Sequence, residues 1–141
     1  SFITVFAVAI APDGRVLTIR KRGELILGFG SKCDKVPHDA GKSIVNAIAF
    51  TLYSELDLYI CNASYRVSPK GFIFSNDRAY DRTNVGLLCK VSLKNIPALI
   101  NVGEKNISLM TLSEIDTQSL RGWSRLIHQE ISNGNSCFYE D

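Results

Sequence analysis

Residues 41–58 read Gly41-Lys42-Ser43-Ile44-Val45-Asn46-Ala47-Ile48-Ala49-Phe50-Thr51-Leu52-Tyr53-Ser54-Glu55-Leu56-Asp57-Leu58. Ser43 is a residue type that caps helix N-termini by accepting from orphan backbone N–H groups. After it, Ile44, Ala47, Ile48, Thr51, Leu52 and Glu55 recur at the three-and-four spacing that gathers side chains on one helical face. The pattern predicts a helix over 44–57.

Upstream of this helix, residues 31–42 are polar and broken by Pro37 and Gly41. They predict a loop of about a dozen residues, a length that is more often functional than accidental. Before the loop, residues 3–10 are rich in Ile, Val and Phe, Pro12-Asp13-Gly14 carries turn chemistry, and residues 16–19 resume the apolar pattern. This is a hairpin. A short apolar run at 25–27 then ends at Gly28-Phe29-Gly30.

Downstream, residues 59–67 read as a strand, Pro69-Lys70-Gly71 as a turn, Phe72-Ile73-Phe74 as a further apolar run and 75–84 as a polar loop. The unbroken apolar stretch 85–93 predicts a strand buried on both faces in the middle of a sheet. Residues 96–102 fit neither a central strand, because of Pro97, nor free exposure, because of their apolar side chains. A short strand is expected at 107–110, a turn-like element at 112–115 and a helix over 119–132, with Leu120, Trp123, Leu126, Ile127 and Ile131 on its apolar face. Residues 133–141 are expected to fray. Taken together the order predicts an α+β fold, a mixed sheet with one helix on each side.

Composition sets the outer limits. The 141 residues suit one domain, 1–141, with no repeat or linker dividing it. At 45% hydrophobic and 21% charged the chain is an ordinary globular sequence. The net charge of +2 gives no field that indicates nucleic acid, and Arg20-Lys21-Arg22 is the one local basic cluster. The apolar start is only about ten residues long, too short to span a bilayer, and no basic segment precedes it, so neither membrane nor export is expected. Cys33, Cys61, Cys89 and Cys137 show no metal-binding spacing. Cys61 and Cys89 lie in apolar runs and read as buried thiols of a reducing compartment, so a cytoplasmic location is expected.

The order of elements, with the segment from Gly28 to Leu58, resembles the Nudix superfamily of nucleoside-diphosphate-linked hydrolases. That family's signature is G-x5-E-x7-R-E-U-x-E-E-x-G-U, with U aliphatic, and the resemblance implies its α/β/α sandwich. From the first glutamate onward this chain falls in register without a gap. The charges differ: that glutamate falls on Lys42, the arginine on Phe50, the next glutamate on Thr51, the paired glutamates on Ser54 and Glu55, and the late glycine on Asp57. Gly28-Phe29-Gly30-Ser31 resembles the family's strand-end glycine pair, set about six residues further from Lys42 than the signature has it. This longer spacing is similar to a branch of predicted phosphoesterases. Gly71–Phe74, Thr83–Leu88, Glu104 and Gly122-Trp123-Ser124 resemble later parts of the same branch.

Pyrophosphate hydrolysis of this kind needs divalent ions held by carboxylates at i, i+3 and i+4 of one helix. Thr51, Ser54 and Glu55 occupy those positions, and a hydroxyl is a poor ligand for a hard dication. The candidate residues are therefore Glu55 as a residual catalytic and metal-binding carboxylate, His38 as an acid or base, and Glu104 as a second metal ligand. Lys42, Gly30, Ser31, Asp39 and Arg82 are candidates for ligand binding. No cofactor is expected, and Mg2+ or Mn2+ only if the chain is active. The reading is a catalytically degenerate Nudix-like protein that binds a nucleotide-like ligand or a protein partner. The alternatives are a divergent metal-dependent phosphohydrolase acting on nucleoside diphosphate derivatives, and a purely structural or regulatory subunit.

Overall fold

Strand β1 (Thr4–Ile10) is buried at every position from Val5 to Ile10, which a strand achieves only when both faces of its sheet are covered. Its odd residues Val5, Ala7 and Ala9 belong to one apolar cluster, its even residues Phe6, Val8 and Ile10 to another. Each cluster is closed by a helix. The computed structural model describes residues 4–32, 44–49, 51–52, 64–75, 85–98, 106–133 and 138–140, with 31–32 described for backbone only.

Among these, seven strands form one mixed sheet. They are β1, β2 (Val16–Lys21), β3 (Glu24–Leu27), β4 (Phe29–Lys32), β5 (Tyr65–Phe74), β6 (Val85–Leu93) and β7 (Asn106–Met110). The apolar run 85–93 is central as expected, with β6 parallel to β1 on one side and antiparallel to β5 on the other. Helical residues 44–49 and 51–52, here α1, contribute Ile48 and Leu52 to the first cluster beside Val5, Cys89 and Val91. Helix α2 (Gly122–Ser132) contributes Ile127 and Ile131 to the second, with Leu25, Leu27 and Leu88. One helix therefore lies on each face, the expected sandwich.

The sheet divides at β1. One edge of that strand pairs with β6 along its whole length, while the other is shared between β4, opposite Thr4–Ala7, and β2, met only at Ile10↔Val16. Strand β2 continues away from β1 with β3 on one side and β7 on the other. The chain passes from β3 to β4 through Gly28, whose φ of +83° suits glycine and few other residues. A Cβ there would also meet Ile127 Cδ1 at 2.5 Å. The β2–β3 hairpin turns on Arg22 and Gly23, both at positive φ, as a two-residue turn matched to strand twist demands.

Four expectations are corrected. Gly30-Ser31-Lys32 is strand and not glycine punctuation followed by loop, because among the described residues the N-terminal half of β1 has no other neighbour on that edge and β4 supplies it. Pro69-Lys70-Gly71 is no turn but a bulge inside β5, with the register shifting between Pro69 and Gly71. Proline is tolerated there because β5 is the outer strand of the order. The last helix starts at Gly122 and not 119, since Asp116 accepts from Gln118 N–H and caps a separate 3-10 turn, Thr117–Ser119, before Leu120 and Arg121 extend. Finally, the closing segment does not simply fray: Phe138 is 1% exposed, within the α2-side cluster.

Candidate functional site

The site expected from the sequence centres on α1, and the described part of that helix shows which face it buries. Ala47, Ile48, Thr51 and Leu52 are all buried, while Asn46 is exposed. Thr51, at 2% exposure, is therefore a core-facing residue. A carboxylate in its place would lose its hydration, a cost met only by a partner charge and hydrogen bonds. Of the three positions at which the resemblance implies metal-binding carboxylates, Thr51 is the one described, and a buried neutral hydroxyl does not fit a hard dication.

Gly30 and Ser31 lie on β4, paired with Phe6 and Val5 of β1. Gly30 has a packing role: a Cβ would meet Phe6 Cε1 at 2.9 Å. Gly86 on β6 does the same from the other side of β1, with 2.6 Å to Phe6 Cε2. The phenyl ring lies over two glycines and against Trp123, centroids 4.8 Å apart and planes inclined at 37°. Glu55, His38, Asp39, Lys42, Arg82 and Glu104 lie outside the described residues, so the structure brings together only Gly30 and Ser31 of the expected set. Among the described residues no group of three His, Cys, Asp or Glu side chains is placed to hold a metal ion.

Several contributors escaped the sequence reading. Ser124 Oγ accepts a buried hydrogen bond from Leu27 N–H at 3.2 Å, tying the start of α2 to the end of β3 beside the Gly28 bend. Lys90, on the central strand β6, is 6% exposed, and its Nζ donates to the Tyr139 carbonyl at 3.2 Å. A lysine at an alternate position of an apolar strand was the available signal. Phe72 and Phe74 of β5 stand 56% and 66% exposed. They pair with Leu87 and Val85, and Leu87 packs on the α1-side cluster, so this aromatic pair belongs to the α1 face.

The groups with displaced pKa values lie on other elements. A hydrogen bond from Arg15 N–H, then the Arg15 guanidinium, holds Asp13 below its usual value. Thr111 does the same for Glu114 through its hydroxyl first and its backbone N–H second, in a capping box at the 3-10 turn Leu112–Glu114. Burial pushes the Tyr139 phenol up.

This divided sheet between two helices has solved counterparts. Tm1382, a candidate Nudix hydrolase, superposes with a TM-score of 0.58 at 17% identity, covering 93% of this chain and 70% of that one. The E. coli dihydroneopterin triphosphate pyrophosphohydrolase gives 0.62 at 11% identity, over 93% of this chain and 96% of that one. The MutT protein of Methanosarcina mazei Go1 gives 0.58 at 13%, over 93% and 92%. No protein-family model matches the sequence, and no curated protein matches it. The chain has the Nudix fold. Among the described residues no helix is long and apolar enough to cross a membrane.

Proposed function

We propose that residues 1–141 form one catalytically degenerate Nudix-like domain that binds a nucleotide-like ligand or a protein partner. The observation that carries this reading is Thr51: the helix position where the signature has a glutamate is turned into the core and filled by a neutral side chain. Lys42 and Phe50 extend the pattern in sequence, replacing a glutamate and the arginine that in the family orients the carboxylates. Binding would draw on Lys42, Asp39, Ser31, Gly30 and Arg82, with a cationic Lys42 attracting a phosphate that no metal neutralises. A protein partner is supported by exposed Phe72 and Phe74.

Turnover and binding assays on the unmodified protein test the proposal. With Mg2+ or Mn2+ and a panel of nucleoside diphosphate derivatives, hydrolysis stays at background while at least one nucleotide or a co-purifying protein binds. Substantial metal-dependent turnover refutes it.

The second reading, a divergent phosphohydrolase, is favoured by Glu55, retained in register, and by a structural neighbour that is itself a pyrophosphohydrolase. On that reading Glu55, with His38 and Glu104, carries the remaining chemistry, and Glu55→Gln abolishes a measurable activity.

A further inference from the structure

We propose that residues 138–140 form a strap that unlatches from the α2 face of the β5–β6 pair while the sheet stays folded, uncovering the ammonium group of Lys90. The strap is held at each of its residues. Phe138 is buried in the same cluster as Ile73 of β5 and Leu88 of β6. Lys90 Nζ donates to the Tyr139 carbonyl. Lys70, set by the β5 bulge, donates through Nζ to the carbonyl of Glu140. The strap is not one of the seven strands of the sheet, so its departure removes none of them.

Lysine at position 90 is what makes the release inexpensive. Any side chain on that face of a central strand must suit a covered state, and an aliphatic one would be left against water when the cover lifts. An ammonium meets both conditions, with a carbonyl as its acceptor under the strap and water once the strap is gone. Lys70 behaves alike at the strand edge. Phe138, buried in the apolar cluster, loses most on release and sets the latch, with the partly buried Tyr139 ring adding to it. The neighbouring residue provides an internal reporter, since Cys89 points from the same strand into the opposite core and is fully buried there.

Pulsed labelling of the full chain tests this. Lysines are acylated and thiols alkylated at denaturant concentrations below the unfolding midpoint, and mass spectrometry follows Lys90 and Cys89 against their rates in the unfolded chain. Opening of a local unit exposes Lys90 at least about ten-fold more often than Cys89. Phe138→Ala raises the Lys90 rate by a further factor of about ten or more and leaves Cys89 unchanged. The proposal is overturned if Lys90 and Cys89 of the unmodified chain become reactive together across the global transition. It is equally overturned if Phe138→Ala speeds both alike. Should that variant fail to fold, the unmodified chain decides.

Discussion

Strand β1 feeds two cores, and the helices over them are bound by different constraints. On the α2 face the contacts are specific in shape. Gly28 exists where Ile127 leaves no room, Gly30 and Gly86 where Phe6 does, and Ser124 fixes the helix to Leu27. On the α1 face the described helix buries a plain stripe, Ala47, Ile48, Thr51 and Leu52, three apolar side chains and one hydroxyl. The difference shows what each face preserves. Close-packed complementarity resists change atom by atom, whereas a stripe needs only apolar side chains of suitable size at the right period. A helix of the second kind needs only that stripe to keep its place in the fold.

The comparison breaks most readily at Thr51. Replacing it by glutamate puts an uncompensated carboxylate into the core, with an expected loss of roughly 3–5 kcal/mol, the cost typical of a buried charge without a partner. Adding Phe50→Arg to Thr51→Glu restores part of that loss if the two act as a pair, and denaturant unfolding of both single variants and the double variant measures the coupling. A Thr51→Glu protein as stable as the parent would show that the α1 face is built for charge, and the degenerate reading would fall with it.

Gly86→Ala sharpens the other side. Its Cβ would stand 2.6 and 2.7 Å from two carbons of the Phe6 ring, which Trp123 holds from the far side. Overpacking of this kind costs about 1–3 kcal/mol. Gly30→Ala, at 2.9 Å and on an exposed residue, costs less. Phe6→Leu in the Gly86→Ala background recovers stability, which thermal melts of the four proteins would read. Equal losses from Gly30→Ala and Gly86→Ala would mean that the ring moves freely and the α2 face is no tighter than its counterpart.

The architecture was legible in the sequence where a period ran long enough to be read. The apolar run 85–93 identified a central strand, the run 3–10 a strand whose central place the pattern did not show, and helical spacing from Ile44 placed α1. What failed was read from single residues. Pro69 and Gly71 are the ordinary marks of a turn, and only their position on an outer strand turns them into a bulge. Phe138 sits between Cys137 and Tyr139 after a polar stretch, with no repeat to announce that it reaches the core. Ser31 is polar yet lies in a strand because β1 needs a hydrogen-bonding neighbour, a demand made by another part of the chain. The candidate site was read from a motif, of whose charged helix positions Thr51 lies among the described residues. His38, Asp39, Lys42, Arg82 and Glu104 sit in stretches without periodicity, where sequence spacing does not determine which side chains meet.

The smallest effect distinguishes surface caps from both cores. Glu114 and Asp13 are held below their ordinary values of 4.5 and 3.8 by hydrogen bonds from Thr111 and Arg15. A folded pKa below the unfolded one means stability that is present above the ordinary value and lost as pH falls through the folded one. Tyr139 has the opposite sign: burial raises it above 10.0, so its share is present below that pH and lost as pH rises through the folded value. Melting temperature should therefore hold steady between these limits and decline at both ends. Thr111→Val removes the hydroxyl bond to Glu114 and flattens the acid limb, leaving the alkaline limb in place. Because both carboxylates are solvated, the acid decline is shallow and weakens further with salt. A steep acid transition would instead require a buried carboxylate in one of the cores, and the contrast between a neutral α1 stripe and a shape-locked α2 face would then have to be redrawn around that group.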